Sequence, residues 1–237
     1  MIRRLLPNAI AVASVTIAWP SVAAEEAVVS RLNNTDAGIF ILAIAAALLI
    51  TLLFRASASR LARTLTEKIG TRRLLGILRS HSTNVLDDFI VPGAYGGLTR
   101  VDHAILTPAG ILCIQTKHYN GVVFGAPKEP QWTNVDGIHR RKFLNPLIQN
   151  EGRARALQKI APDVPVAGLV VFTGAVQFTS LQEKNVVHVR DLERYISSFI
   201  SESSETGEWG DVWMSVTAAA LTDDDSRKDF DAQLSFS

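Results

Sequence analysis

Two apolar runs around Pro108-Ala109-Gly110 constrain this chain more than any other feature. A Pro/Gly turn between strand-like runs folds them back on each other as a hairpin. The first run, Val101 to Thr107, carries Asp102 near its start. The second, Ile111 to Thr116, leads into Gln115-Thr116-Lys117. Successive strand side chains point to opposite faces, so Gln115 and Lys117 share one face. Folding the hairpin brings Asp102 towards both. One carboxylate, one amide oxygen and one ammonium then converge. Such a set could hold a divalent cation and offset the charge of a phosphoryl transition state.

Asp102-His103, Gly110, Ile114-Gln115-Thr116-Lys117, Tyr119 and Gly121 together resemble the nuclease-related domain, NERD, of the PD-(D/E)xK superfamily. Asn145-Pro146-Leu147-Ile148-Gln149 is similar to that family's NPxxQ element, and the resemblance covers residues 66–195. It implies an α/β, restriction-endonuclease-like fold, with a mixed sheet flanked by helices. It also implies metal-dependent hydrolysis of a nucleic acid, DNA in the first instance. Asp102, Gln115 and Lys117 would be catalytic. Asp102 and Gln115 would hold Mg²⁺, and Lys117 would orient the attacking water or stabilise the pentavalent charge. Gln149 would support the site. Two departures weaken the metal set. Gln115 stands where the family has an acid, and an amide oxygen offers a hard cation less charge. Gly70-Thr71 stands where the family pattern has Gly-Glu. Glu67, one turn earlier, substitutes as a supporting acid or the ligand is missing. His103 and His118 alternate to the opposite face from Asp102 and Lys117, and His103 reads as packed or capped.

The charge balance agrees with an anionic partner without requiring one. Residues 55–201 hold 19 Lys/Arg against 11 Asp/Glu, whereas residues 202–237 hold 2 against 9. A basic body suits nucleic acid, and the basic run 55–79 equally suits a membrane border. His139-Arg140-Arg141-Lys142 is a further basic run, read as a solvated loop or a phosphate contact. The single cysteine, Cys113, lies in an apolar run and reads as a buried structural thiol.

The amino-terminal region carries the apolar excess behind the mean hydropathy of +0.17. Residues 1–24 read as a signal peptide or signal anchor, with Arg3 and Arg4 before an apolar run and Ser21-Val22-Ala23-Ala24 after it. Gly38 to Phe54 is an uninterrupted apolar run at the lower limit of a transmembrane helix. Residues 55–80 then form a basic juxtamembrane helix, 66–201 the nuclease-like domain and 202–237 an acidic tail. The positive-inside rule places the domain in the cytoplasm, on a bacterial inner membrane crossed once or twice.

Within the domain, strands are expected at Asn84–Val91, in the central hairpin, at 122–124 and 131–133, at Val164–Thr173 and at Val186–Val189. Helices are expected at Ser57–Ser80, Asn145–Ile160 and Arg190–Ile200. The tail is expected to be weakly ordered, with one helix near Trp213–Leu221. No Gly-rich phosphate loop, CxxC pair or GxSxG elbow occurs, so ATPases, zinc modules and serine hydrolases find no support, and no small-molecule cofactor is expected. Two functions remain. One is a membrane-anchored Mg²⁺-dependent nuclease. The other is a catalytically weak nuclease-like module that binds nucleic acid or protein. Glu67 separates them: near Asp102 it favours the enzyme, and facing solvent it favours the binding module.

Overall fold

The computed structural model describes residues 34–179, 183–204 and 206–235. In chain order it contains helix α1 (Asn34–His81), strands β1 (Val85–Pro92), β2 (Leu98–Thr107), β3 (Gly110–Lys117), β4 (Gly121–Phe124), β5 (Gln131–Asp136) and β6 (His139–Leu144), and helix α2 (Pro146–Ile160). Strands β7 (Val166–Phe172), β8 (Val176–Phe178) and β9 (Val186–His188) follow, then helices α3 (Leu192–Glu202), α4 (Gly210–Ala219) and α5 (Asp224–Ser235).

The central turn forms as its sequence predicts. β2 and β3 pair antiparallel, with Thr107 opposite Gly110 and His103 opposite Ile114. Gly110 has φ of +115°, and a Cβ there would lie 2.3 Å from the Pro165 carbonyl oxygen, so only glycine fits. β1 adds antiparallel on one side, and β7 and β9 add parallel on the other, giving the order β1-β2-β3-β7-β9. A parallel neighbour needs a long crossover. Here the crossover from β3 to β7 carries α2 and most of a second sheet, ordered β6-β5-β4-β8. The fold is therefore a mixed α/β fold with two mixed sheets flanked by helices, where the sequence suggested one sheet.

Strand alternation divides the core. Ile111 and Cys113 of β3 pack with Ala156 and Leu157 of α2 and Trp213 of α4. Leu112 and Ile114 pack on the other face with Leu74 and Leu78 of α1 and Leu192 and Ile196 of α3. A third cluster, including Val123, Trp132, Val170 and Phe172, joins the two sheets.

Three expectations are corrected. First, among the described residues no helix is long and apolar enough to cross a membrane. The apolar stretch 38–54 rises about 1.5 Å per residue and falls short of the roughly 30 Å of a hydrocarbon core. An inner-membrane location with membrane contact through 38–54 is not supported. The signal-like segment 1–24 lies outside the described residues. Second, 139–144 is a strand, not a loop. It owes this to its partner: β5 supplies the ladder, with Trp132 opposite Phe143 and Asp136 opposite His139. Third, the acidic tail carries the expected helix near Trp213, α4, but also a second, α5, and it docks on the domain. Trp213 is buried, and Leu221 exchanges two backbone hydrogen bonds with Ile90 of β1 at 2.8 and 2.9 Å.

The described residues divide into two units, one ending at residue 59 and the other beginning at residue 60. In the first, Ile39, Phe40 and Phe54 are among the exposed apolar residues of α1. In the second, Leu74 and Leu78 are buried but Leu61, Leu65 and Ile69 are exposed, so these leucines and isoleucines of α1 pack only towards its carboxyl-terminal end.

Candidate functional site

The carboxyl end of β3 and the first turns of α2 build the site. Asn145 caps α2: its Oδ1 accepts from the Leu147 N–H at 2.9 Å, and its Nδ2 donates to the Pro127 and Glu129 carbonyls at 2.8 and 2.7 Å. Pro146 follows, at the first helical position, where its missing N–H costs nothing. One turn on, Asn150 is 2% exposed and clamps the helix to the sheet. Its Nδ2 donates to the carbonyls of Cys113 in β3 at 2.9 Å and Leu169 in β7 at 3.1 Å. Cys113 returns a weak bond, its Sγ donating to Asn150 Oδ1 at 3.6 Å. Burial pushes the Cys113 thiol up to about 12, so it stays protonated and inert at neutral pH.

With α2 so fixed, Gln149 and Arg153, four residues apart on one face, reach the strand ends. Gln149 Oε1 accepts from Lys117 Nζ at 3.0 Å and from Gln115 Nε2 at 3.2 Å. This settles the amide orientations. An ammonium only donates, so Gln149 must present its oxygen, and Gln115 must then present its nitrogen. Gln115 Oε1 is left buried and without a partner. Asp102 Oδ2 accepts from the Thr116 N–H at 2.9 Å and the Thr116 hydroxyl at 3.3 Å. Its Oδ1 faces Arg153 Nη2 at 3.6 Å. Arg153 also donates from Nε to the Arg100 carbonyl at 2.7 Å, while its Nη1 is buried without a partner.

Lys117 is held below the usual lysine range. Burial is the main cause and the Arg153 charge adds to it, with Asp102 opposing. The local count is therefore two cations against one carboxylate. Gln115 contributes a neutral oxygen.

Of the residues picked out in the sequence, Gln115, Lys117 and Gln149 are hydrogen-bonded into one cluster, while Asp102 bonds Thr116, the residue between Gln115 and Lys117, and faces Arg153. Glu67 is exposed to solvent. The two histidines lie off the cluster. His103 Nδ1 lies 2.9 Å from Asp87 Oδ1, and His118 lies within hydrogen-bond distance of Thr66 and Thr173. Arg153 and Asn150 escaped the sequence reading. The i, i+4 spacing of Gln149 and Arg153 was the one signal available for the former. A cavity of about 260 Å³ beside α2, lined by Leu147, Asn150, Gln158 and Val166 among others, includes none of Asp102, Gln115 or Lys117.

The donor set does not fit Mg²⁺. That ion favours hard, charged oxygen ligands. Here the one carboxylate already accepts two hydrogen bonds and faces a guanidinium. The neighbouring oxygen is neutral, and Glu67, the other candidate acid, faces solvent. No group of three or more His, Cys, Asp or Glu among the described residues could hold a metal ion.

The family model of the nuclease-related domain matches residues 66–173. An uncharacterised protein of Bacillus anthracis is 28% identical over 169 residues, which cover 68% of this chain and 78% of that protein. No solved structure matches the chain. The matched segment contains the hairpin, the Lys117–Gln149 contact and α2, and a place in the PD-(D/E)xK superfamily is consistent with it. Residues 66–173 of this chain match the nuclease-related domain, NERD, and the cluster lies within that match.

Proposed function

We propose that this domain binds the phosphate backbone of a nucleic acid at the Lys117–Arg153 cluster, on a restriction-endonuclease-like core, without hydrolysing it. The excess of two cations over one carboxylate carries this reading. Lys117 offers a donor to a phosphate oxygen and Arg153 adds a second positive charge beside it, and charge-assisted bonds to phosphate are the strong kind. Solvent-facing Glu67 and the hydrogen-bonded Asp102 leave no second carboxylate to charge a hydrolytic metal. Asp102 and Gln149 act as positioning residues: the first restrains Arg153, the second Lys117.

The two readings predict opposite signs for one substitution. In a phosphate-binding site Asp102→Asn removes a repulsive charge and tightens oligonucleotide binding by the full chain, by about 5-fold or more. Lys117→Ala weakens it by about 10-fold or more. Fluorescence anisotropy with labelled DNA reads both. Plasmid cleavage in Mg²⁺ or Mn²⁺ by the wild-type chain, abolished by Asp102→Asn and Lys117→Ala, overturns the proposal in favour of a nuclease.

A further inference from the structure

β6 reads His139-Arg140-Arg141-Lys142-Phe143-Leu144 and forms the outer edge of the second sheet. Its first four residues are all exposed, so cationic side chains line both faces of the strand. A single charge is a common device for keeping an edge strand from pairing with another chain. Four basic residues in succession go well beyond that need. No ion pair among the described residues involves Arg140, Arg141 or Lys142.

One ring contact joins this strand to the segment just beyond Lys117. Phe143 stacks on Tyr119, two residues beyond Lys117, with ring centroids 4.5 Å apart. Arg141, on the same face of β6 as Phe143, acts on the same phenol: burial pushes the Tyr119 pKa up, and the Arg141 charge opposes this. The chain then runs from Leu144 through the Asn145 cap into α2, which carries Gln149 and Arg153. The acidic part of the chain does not serve as the partner of β6. α5 is engaged elsewhere, with Arg227 Nη1 donating to Asp88 Oδ2 at 2.7 Å and Gln233 Nε2 donating to the Leu98 carbonyl at 3.1 Å.

We infer that β6 is a second phosphate-contacting surface, continuous with the Lys117–Arg153 cluster, along which the backbone of one nucleic acid strand lies. The inference rests on the nucleic-acid reading of that cluster. Polyanion binding releases counterions, so each phosphate contact adds close to one unit to the slope of log affinity against log salt concentration.

The test uses the full chain and a fluorescein-labelled DNA of about 20 nucleotides, single-stranded and duplexed, titrated between roughly 50 and 200 mM salt. The variant replaces Arg140, Arg141 and Lys142 by Gln; exposed positions tolerate such changes, and an unchanged thermal midpoint verifies the fold. The slope is expected to fall by about 2 to 3 units, and binding at low salt to weaken by about 10-fold or more. If the wild-type chain binds and the triple variant binds equally well with the same slope, the β6 surface is overturned and the cluster stands. If the wild-type chain binds neither form of the DNA, the reading of the cluster fails and the inference fails with it.

Discussion

Lys117 combines burial, a cationic neighbour and an acceptor, Gln149, that holds its ammonium in place. Because its folded pKa lies below its unfolded value, the charged lysine costs stability at neutral pH. That cost is relieved as pH rises from the folded towards the unfolded pKa. Lys117→Met is therefore expected to raise the urea midpoint at neutral pH while weakening DNA binding; a lower midpoint would show that the Gln149 bond outweighs the charge penalty. Affinity for DNA should also fall as pH rises into the alkaline range, earlier than for an ordinary lysine, and Lys117→Arg should remove that early fall. Asn150 is the opposite kind of residue, polar and fully satisfied. Asn150→Ala removes two buried bonds to β3 and β7 and is expected to cost about 2 to 3 kcal/mol in urea unfolding. Gln115 and Lys117 were legible as neighbours because strand alternation places them on one face, and Asp102 because the Pro/Gly hairpin folds it back towards them. Asn150 and Arg153 were not. Their roles depend on the rotation of α2 against the sheet, and that rotation is fixed by the Asn150 bonds themselves.

At the scale of elements, α1 offers a paired test. A Cβ on Gly70 would lie 2.8 Å from Thr173 Cβ and 3.0 Å from its carbonyl oxygen, whereas nothing lies within 4 Å of one on Gly76. Both glycines cost helix propensity, about 1 kcal/mol relative to alanine. Gly76→Ala should thus stabilise by about 0.5 to 1 kcal/mol. Gly70→Ala should destabilise, because the helix must move away from the end of β7. Urea midpoints of the two variants decide it, and a stabilising Gly70→Ala would mean that this helix contact yields without cost. Of the two glycines, Gly70 marks close packing against Thr173 that no periodicity reveals. β6 escaped recognition because four polar residues in a row, His139 to Lys142, carry no apolar alternation, so only pairing with β5 makes them a strand. The hairpin, the Asn145-capped helix and the apolar β7 were readable because turn chemistry, capping and apolar length are local signals.

Across the whole molecule, the described part of the acidic tail, Gly210–Ala219 and Asp224–Ser235, is part of the fold. Asp88, at φ of +49°, sits between Arg100 and Arg227. Burial alone would push its pKa up, but the two arginines outweigh burial and hold the carboxyl below its ordinary value. A depressed carboxylate contributes stability above its unfolded pKa and loses it as pH falls through the folded pKa. Docking of the tail should accordingly loosen only at strongly acidic pH. Limited proteolysis would show faster cleavage after 220 in acid, and Arg227→Gln should move that onset to higher pH. The sequence showed the acidity of the tail but not its order, since the residues that hold it, Trp213, Leu221, Arg227 and Gln233, are dispersed among polar ones. The Leu221 bridge also matters to anyone shortening this protein. With Leu221 in place, the outermost strand of the five-stranded sheet is partly covered. A chain ending at Ala220 would leave β1 as a bare hydrogen-bonding template, so such fragments are expected to self-associate, visible as growth in light scattering, where the full chain does not.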